Sequence, residues 1–340
     1  MTEGDIINNP RPARKRRMGC RPADIALEDI VRNSRVCVTG GAGFIGSHLC
    51  EVLTKHNEVV VLDNLSTGKQ ANLEGINVEF IEGSILDPKA LEKAFEGVRY
   101  VFHEGALASV PRSIDDPVSS NAVNAEGTLR VLMAARKMGV HKVVYASSSS
   151  VYGDTPTMPK EEEMKQTPLS PYAVAKLAGE QYCQVFWSVY RLRTAALRYF
   201  NVFGPRQDPS SQYSAVIPKF IESALARRPL TIFGDGEQTR DFTYVLDVVQ
   251  ANLLAAVLEE SNGQVINIAR QESISLNQLA AIIFKEADWE EGTLVHAPER
   301  VGDVKHSLAD ISKAKMRLGY TPKFTVEEGI RLTVQQAKSR

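Results

Sequence analysis

The chain has 340 residues and 43% hydrophobic content, which is enough apolar material to bury a large core in one big domain or two smaller ones. Its formal net charge of −1 supplies no field that would attract nucleic acid. No apolar run approaches the roughly 18 residues that span a membrane, and no signal peptide is visible. The sequence therefore predicts neither a nucleic-acid partner nor a membrane association.

The cysteines form no close-spaced pair and no metal-binding pattern. They are Cys20, Cys37, Cys50 and Cys183. We interpret them as reduced thiols of a cytoplasmic protein without a metal, and we expect Cys37 and Cys50 to pack in the core.

Residues 1–33 are predicted to form a mobile N-terminal extension. The run from Arg11 to Arg17 is basic and flanked by prolines, which is more typical of a solvated tail than of an arm that binds nucleic acid or membrane. Residues 26–31 can add a short helix to this extension.

From residue 34 the pattern is strand, glycine-rich turn, helix and second strand. The strands are predicted over 35–39 and 58–63, and the helix over 47–55. The three glycines of the turn are Gly40, Gly43 and Gly46. Glycines at this spacing allow a tight turn, a close approach of the backbone to a pyrophosphate, and close packing of helix on strand. The N–H groups of the helix would then hold the phosphates.

Asp63 ends the second of these strands. A carboxylate at this place binds the diol of a cofactor ribose, whereas a 2′-phosphate would meet a like charge. The pattern therefore predicts NAD rather than NADP as the cofactor.

Strands and helices continue to alternate downstream. We predict strands over 78–82, 100–103, 142–146 and 194–198, and helices over 88–95 and 121–138. This alternation predicts an α/β protein built on a doubly wound parallel (Rossmann) sheet with right-handed crossovers. The nicotinamide should lie over the carboxyl edge of that sheet.

Polar residues with a chemical use follow one of these strands. Four serines, at 147–150, stand where the strand should end. Ser170 and Pro171 give a helix start signal. Tyr172 and Lys176 are four residues apart in that helix, so their side chains share a face.

The pairing of a phenol with an ammonium group has a known chemical purpose. A phenol with a pKa near 10 is a poor base at neutral pH, but a nearby positive charge favours the phenolate. Tyr172 could then take a proton from a substrate hydroxyl, with a serine hydrogen-bonding the same oxygen. A Tyr-x-x-x-Lys pair is common by chance, so this interpretation depends on the predicted cofactor fold around it.

Residues 35–334 resemble the sugar-nucleotide branch of the extended short-chain dehydrogenase/reductase family. The segments that carry the resemblance are TGGAGFIG, DNLSTG, SSSSVYG, SPYAVAKLAGE, LRYFNVFGPRQ and GDGEQTRDF. Within this family the chain looks like the UDP-hexose 4-epimerases. Its segment SVPRSIDDP, at 109–117, is similar to the subgroup that prefers N-acetylated UDP-hexosamines.

The resemblance implies roles for individual residues. Tyr172 is implied as the base, Lys176 as the ligand of the nicotinamide ribose that also lowers the pKa of Tyr172, and Ser148 as the catalytic serine, with Ser149 as its nearest rival. The implied cofactor-binding residues are Gly40, Gly43, Phe44, Ile45, Gly46, Asp63, Asn64, Ser66, Gly68, Ile85, Asn124, Tyr172 and Lys176. The implied substrate-binding residues are Arg112, Ser148, Ser149, Tyr172, Asn201, Val216, Ile217, Phe220, Phe233, Arg240, Arg300 and Ser307.

Within the substrate set, Asn201, Arg240 and Arg300 correspond to diphosphate ligands, and a guanidinium fork suits that geometry. Ser307 corresponds to a position that limits the size of the sugar. A tyrosine there closes the pocket to an N-acetyl group, and a serine leaves it open. The resemblance therefore implies activity on UDP-GlcNAc and UDP-GalNAc, together with some activity on UDP-Glc and UDP-Gal.

Two residues depart from the family pattern. Ser84 stands where the family usually has an adenine-contacting aspartate, which could weaken NAD binding. Glu104 replaces a commonly neutral residue near the cofactor, and an exposed position would leave it without a role.

The other enzymes of this branch share the first oxidation step. A 4,6-dehydratase usually has Asp-Glu after its catalytic residue, and a UDP-glucuronate decarboxylase usually has a glutamate there, whereas this chain has Ser149 and Ser150. Elimination would lack its acid–base pair. UDP-glucuronate 4-epimerisation stays open, as does a non-catalytic NAD sensor with the same fold, although a sensor has no need for the base.

The predicted organisation has three parts. The extension over 1–33 is followed by an NAD-binding Rossmann domain over 34–200, to which residues 244–260 return as a helix. The UDP-sugar-binding region consists of 201–243 and 261–340. Because the helices predicted over 121–138 and 173–189 resemble a dimer four-helix bundle, we also expect a homodimer.

Overall fold

The structure is a computed structural model, and it describes residues 25–209, 215–298 and 305–339. In chain order the strands are β1 (Arg35–Thr39), β2 (Glu58–Asp63), β3 (Glu79–Glu82), β4 (Tyr100–His103), β5 (Lys142–Ser148), β6 (Arg193–Tyr199), β7 (Val202–Phe203), β8 (Leu230–Phe233), β9 (Thr239–Asp241), β10 (Thr243–Tyr244), β11 (Gln264–Ile268), β12 (Ser273–Ser275) and β13 (Leu294–Ala297). Seven of them form a parallel sheet in the order β11-β6-β5-β4-β1-β2-β3.

Helices cover both faces of this sheet. They are α1 (Leu27–Ile30), α2 (Phe44–Leu53), α3 (Pro88–Ala94), α4 (Val110–Asp115), α5 (Pro117–Asn121), α6 (Gly127–Lys137), α7 (Pro171–Tyr190), α8 (Val216–Leu225), α9 (Val245–Val257), α10 (Leu276–Glu286), α11 (Ser312–Leu318) and α12 (Val326–Lys338). The predicted doubly wound α/β fold is confirmed. Among the described residues, no helix is long and apolar enough to cross a membrane.

The strand predictions agree with the structure to within two residues at each end. Two local differences matter for the site. Strand β5 continues through Ser148 instead of ending at Ala146, and helix α2 begins at Phe44, inside the glycine-rich turn, instead of at Ser47. As a result, Ser147 and Ser148 belong to β5, and the N–H groups of the first turn of α2 lie inside the glycine-rich segment.

Two apolar clusters hold the sheet between its helices. On one face α2 and α9 pack together and α9 lies against β5 and β6, whereas on the other face α7 packs against the same two strands beside α6. Helix α9 lies within the range 244–260, so this segment returns to the sheet as the sequence predicts. The cysteines at 37, 50 and 183 are buried free thiols, and Cys20 lies outside the described residues.

A third cluster lies in the C-terminal part, where α8, α10 and α12 pack around the paired strands β8 and β13. One strand of the sheet does not follow the predicted division into two regions. Strand β11 belongs to the range 261–340, yet it pairs with β6 and completes the parallel sheet.

Part of the segment 1–33, which the sequence predicts to be a mobile extension, is folded onto the body of the protein. Helix α1 packs against α9 and α2, and Val31 is 2% exposed within the main core. Residues 27–31 are therefore part of the folded body, because their apolar side chains find a partner surface that the sequence alone did not reveal. Residues 1–24, including the basic run, lie outside the described residues.

Helix α7 is joined to the sheet by a buried ion pair. Arg198, on β6, donates to both carboxylate oxygens of Glu180 at 2.8 Å, and both side chains are almost fully buried. Ser147 donates a further hydrogen bond to the same carboxylate, and the Tyr152 hydroxyl accepts one from the guanidinium group. Both buried charges therefore have hydrogen-bond partners in addition to each other.

Arg198→Met should lower the free energy of unfolding by about 3–5 kcal/mol, because it leaves the Glu180 carboxylate buried without its cation. Adding Glu180→Gln should recover part of this loss by removing the unpaired charge. Arg130→Met breaks an exposed pair with Glu126 and should cost about 1 kcal/mol or less. Urea unfolding of the four proteins measures the effect, and equal losses for the buried and exposed variants would contradict it.

Candidate active site

The carboxyl ends of the parallel strands place the predicted functional residues at one edge of the sheet. The register aligns Thr39 of β1 with His103 of β4, and Ser148 of β5 with Tyr199 of β6. Each of these residues is the last of its strand, so the loops that carry the glycine-rich turn, the serines and Asn201 all begin at the same level.

The glycine-rich turn has the shape that a dinucleotide requires. Gly40 has a φ of +71°, and a Cβ there would lie 2.7 Å from the Cα of Gly105, so only glycine fits. A Cβ at Gly46 would clash with the Gly40 carbonyl oxygen. Helix α2 starts after Gly43 without a side-chain cap, so its first N–H groups point into the turn and are available to a phosphate.

The Asp63 carboxylate lies directly beside this turn. Its two oxygens accept the backbone N–H groups of Ala42, at 3.0 Å, and Leu65, at 2.8 Å. Burial raises the pKa of Asp63, and the two hydrogen bonds oppose that shift. Each oxygen keeps acceptor capacity, so the group can bind a ribose diol. The other predicted residues of this segment are Asn64, Ser66 and Gly68, of which Asn64 and Ser66 are exposed.

Asn124 reaches the cofactor edge indirectly. It lies in a short π-helical segment, Ala122–Glu126, and its buried amide exchanges hydrogen bonds with the backbone of Leu107 at 2.9 and 3.1 Å. It therefore holds the loop that follows β4. Ile85 is buried and packs against Gly127, just after this π-helical segment. The Ser84 hydroxyl accepts the backbone N–H of Leu86.

Tyr172 and Lys176 share one face of α7, as predicted. Ser170 caps the helix by accepting the N–H of Ala173, which confirms the predicted start. The Lys176 ammonium group is buried, lies 5.8 Å from the centre of the Tyr172 ring, and donates to the carbonyl of Ala146 at 2.8 Å. The lysine is thus anchored to the end of β5, next to the serines.

The pKa values of this pair are governed by burial. Burial raises the pKa of Tyr172 to about 12, while its interaction with Ser148 lowers the pKa and the charge of Glu104 raises it further. Burial lowers the pKa of Lys176 to about 8, and the nearby carboxylates of Glu104 and Glu180 oppose this. In the chain by itself the Tyr172 phenol is therefore a weaker acid than free tyrosine, and less of it is ionised at neutral pH, in contrast to the lowering of its pKa that we expected from Lys176.

Ser148 is the serine that interacts with Tyr172. The Ser150 hydroxyl donates to the Ser148 hydroxyl at 3.0 Å. Ser149 opens the 3₁₀ turn that follows. The geometry therefore favours Ser148 over Ser149 as the partner of the phenol.

Glu104 is not an exposed residue without contacts. It is partly buried at the end of β4, and one of its oxygens accepts the Tyr199 hydroxyl at 2.8 Å. Burial raises the pKa of Glu104 to about 7. The sequence did not predict this arrangement, although the unusual charge after an otherwise apolar strand was a signal.

Three of the predicted substrate residues lie together beyond the end of β6. The Asn201 amide donates to the Ser307 hydroxyl at 3.1 Å, and that hydroxyl also accepts the backbone N–H of Asp241 at 3.2 Å. Arg240 reaches the carbonyl of Lys305 in the same loop at 3.1 Å. Asp241 was not predicted, yet its buried carboxylate accepts the N–H groups of the loops at 270–271 and 309 and so assembles this side of the site.

The other predicted substrate residues differ in what they can offer. Ile217 and Phe220 are 1% and 3% exposed and belong to the C-terminal core, so a ligand would meet their backbone and not their side chains. Val216, Phe233 and Arg112 are partly buried. Arg300 lies outside the described residues.

This site combines a dinucleotide-binding turn with a tyrosine, lysine and serine at the carboxyl edge of a parallel sheet, which defines the class of dehydrogenase-type α/β proteins. Comparison with known proteins identifies the family. The model of the NAD dependent epimerase/dehydratase family matches residues 36–269. The chain belongs to this family, and NAD is its cofactor.

Several characterised proteins are similar over nearly the whole chain. A UDP-glucose 4-epimerase of Mycolicibacterium smegmatis is 39% identical over 308 residues, which are 88% of this chain and 97% of the relative. The solved UDP-N-acetylglucosamine 4-epimerase of Methanobrevibacter ruminantium, in complex with UDP-N-acetylmuramic acid, is 43% identical with a TM-score of 0.87, covering 91% of this chain and 99% of its own. The Thermus thermophilus UDP-glucose 4-epimerase, solved with NAD, is 39% identical with a TM-score of 0.82, covering 89% and 99%.

Proposed function

We propose that the protein is a UDP-hexose 4-epimerase that acts on UDP-GlcNAc and UDP-GalNAc, with UDP-Glc and UDP-Gal as further substrates. The observation that carries this proposal is the placement of Tyr172, Lys176 and Ser148 together at the sheet edge, beside the dinucleotide turn. The similar proteins named above, which include 4-epimerases for UDP-glucose and for UDP-N-acetylglucosamine, support the reaction class.

The chemistry needs a proton to leave the 4-hydroxyl oxygen and a hydride to leave C4 of the sugar, and both have to return. When bound, NAD supplies the hydride acceptor and then returns the hydride. Tyr172 takes the proton of the 4-hydroxyl and gives it back, and Ser148 orients that oxygen. Lys176 binds the nicotinamide ribose, and Asp63 binds the adenosine ribose and disfavours NADP. A 4-keto sugar that turns over in the site would present its opposite face for the return of the hydride, which inverts the configuration at C4.

Epimerisation requires no further acid, which agrees with the residues at this edge. A dehydratase or a decarboxylase uses a carboxyl group next to the catalytic serine, whereas this chain has Ser149 and Ser150. The clamp on UDP that allows the sugar to turn is assigned to Asn201, Arg240 and Arg300.

Tyr172→Phe should reduce turnover of UDP-hexoses by a factor on the order of 100 to 10,000, because it removes the proton acceptor and little volume. Cofactor content and thermal unfolding should stay close to those of the wild-type protein. Tyr182→Phe, on the same helix, is the matched control and should keep full activity.

The measurement is the conversion of UDP-Glc, UDP-Gal, UDP-GlcNAc and UDP-GalNAc by the purified protein, followed by chromatography of the products and of the released cofactor. Near-native turnover by Tyr172→Phe would refute the role of the tyrosine. Failure of the wild-type protein on all four sugars would refute the proposed reaction, and release of NADP in place of NAD would refute the role of Asp63.

Ser307 is proposed to determine which sugars fit. Its hydroxyl is held by Asn201 and by the N–H of Asp241, so the residue has a fixed position next to a proposed diphosphate ligand. Its small volume leaves room for an acetamido group at the neighbouring sugar, whereas a phenol ring would occupy that room.

Ser307→Tyr should lower kcat/KM for UDP-GlcNAc and UDP-GalNAc by a factor on the order of 10 or more, and should spare UDP-Glc and UDP-Gal. Ser307→Ala serves as the control, because it removes the same two hydrogen bonds without adding volume and should affect both sugar pairs alike. If Ser307→Tyr loses both pairs equally, or if wild type ignores N-acetylated sugars, the assignment of Ser307 is wrong.

We also propose that the protein is a homodimer through α6 and α7. Met133 on α6 and Val185 and Val189 on α7 are 45–63% exposed, and Arg136 stacks on Tyr190 at 4.2 Å next to them. Met133, Val185, Arg136 and Tyr190, together with neighbouring side chains, line a mainly apolar groove of about 530 Å³. An apolar face on two adjacent helices is suited to packing against a second copy of itself.

Val185→Glu should convert the dimer to a monomer, because a carboxylate would be buried in the apolar interface. Met316→Glu introduces the same charge at a residue that is 72% exposed on α11, and it should leave the dimer intact. Sedimentation velocity over a range of concentrations distinguishes the states, and a wild-type protein that is monomeric throughout would exclude the dimer.

A further inference from the structure

Glu104 lies next to the proposed catalytic pair but is not assigned to the reaction. Strands β4 and β5 pair His103 with Tyr145, and Glu104 is the residue that directly follows β4 at this edge of the sheet. The carbonyl of Ala146 is the group that accepts the Lys176 ammonium. Tyr199, which donates to the Glu104 carboxyl group, pairs with Ser148 at the end of β5, so the carboxyl group and the Lys176 ammonium group lie at the same edge of the sheet.

The position of the Glu104 side chain is fixed from both ends. Its backbone N–H donates to the carbonyl of Thr39 at 3.1 Å, and its carboxyl group accepts the Tyr199 hydroxyl at 2.8 Å. That hydroxyl in turn accepts the Asn252 amide at 2.8 Å. Hydrogen bonds from Asn252 on α9 to Tyr199 on β6, and from Tyr199 to Glu104, thus hold the Glu104 carboxyl group at the site.

The titratable groups around Glu104 come from the elements that pack at this edge. Tyr172 and Lys176 from α7 and Tyr199 from β6 interact with Glu104 itself. The groups that contact these residues or one another next to them are Glu180 from α7, Arg198 from β6, Tyr145 from β5 and His103 from β4. Glu180 is neutralised by Arg198, and burial lowers the pKa of His103 to about 3, so the imidazole is uncharged. Glu104 is consequently the carboxylate whose charge acts on the phenol, and the Lys176 ammonium group lies 5.8 Å from the centre of the phenol ring.

We propose that Glu104 is a positioning residue that sets the ionisation of the Tyr172–Lys176 pair. This inference rests on the proposed epimerase function of that pair. As a carboxylate, Glu104 disfavours the Tyr172 phenolate and favours the Lys176 ammonium, since like charges repel and opposite charges attract in a partly dry site. Tyr199 supports the carboxylate by donating to it.

The effect depends on pH in a definite direction. Because the pKa of Glu104 is raised to about 7, its side chain is mainly neutral well below pH 7 and mainly charged well above it. Replacing it by glutamine, which can still accept the Tyr199 hydroxyl, leaves an uncharged group at every pH. Wild type and Glu104→Gln should therefore behave alike in acid and differ on the alkaline side.

The test is a pH titration of the NAD-loaded protein and of its Glu104→Gln variant. Tyrosinate absorbance, taken as the difference between each protein and its Tyr172→Phe derivative, reports the ionisation of Tyr172 alone. We expect this ionisation to move to lower pH by on the order of one unit in Glu104→Gln. The alkaline limb of the kcat–pH profile should move in the same direction, because the pKa of Lys176 falls as well, and the acid limb should stay in place.

Two controls sharpen the experiment. Tyr199→Phe removes the hydrogen-bond donor to the Glu104 carboxylate, so it should raise the pKa of Glu104. A protein with this substitution should therefore behave like Glu104→Gln up to a higher pH than wild type does. Glu163→Gln removes a carboxylate whose side chain is 75% exposed and should change neither the absorbance titration nor the profile.

An unchanged tyrosinate titration in Glu104→Gln would overturn the proposal. So would a loss of kcat that is the same at every pH, because it would indicate a merely structural role. Failure of the proposed function gives a different result, in which Tyr172→Phe keeps its turnover or wild type converts no UDP-hexose.

Discussion

The attachment of helix α7 to the sheet is the constraint on which the site depends. The Glu180–Arg198 pair fixes the middle of the helix to β6, and the Lys176 ammonium fixes the preceding turn to the end of β5. The Tyr145 hydroxyl donates to the backbone carbonyl of Lys176, and the absence of a side chain at Gly179 leaves room for the Tyr145 ring. With three anchors along two turns, the Tyr172 phenol has little freedom to move away from Ser148.

The same constraint joins the reaction site to the cofactor turn. The carboxyl ends of β1, β4 and β5 are adjacent, and the close approach of Gly40 to Gly105 brings the dinucleotide turn against the loop after β4. Asn124 fixes that loop from the helix side through the backbone of Leu107. The distance between the phosphate-binding turn and the phenol is therefore set by sheet geometry and not by flexible loops.

The sequence predicts the sheet well, because buried parallel strands are short apolar runs with turn residues at both ends, and their limits can be read within two residues. It predicts the pairing of Tyr172 with Lys176 for a similar reason, since helical spacing alone places them on one face. The pairing of β11 with β6 was missed, because a strand that returns from the distant C-terminal part has no local signal. Burial of Ile217 and Phe220 was missed as well, since motif similarity identifies a segment and not the direction of each side chain.

The pKa of Tyr172 illustrates a second limit of sequence reasoning. Tyr-x-x-x-Lys predicts a lowered pKa when only the ammonium charge is considered, but desolvation acts on the whole pair and is invisible in the sequence. Asp241 and Tyr199 were missed on similar grounds, because their roles consist of hydrogen bonds between segments far apart in the chain.

Charge balance at the edge of the sheet explains why a buried phenol with a pKa of about 12 is compatible with catalysis. Between about pH 7 and about pH 8 the site of the chain itself holds one ammonium group, Lys176, and one carboxylate, Glu104, so its net charge is near zero. A phenolate at Tyr172 would leave an uncompensated negative charge in a partly dry site, which is unfavourable. An additional positive charge at this edge restores the balance, and the oxidised nicotinamide carries such a charge. In the proposed mechanism, proton removal by Tyr172 would therefore depend on the presence of the oxidised cofactor.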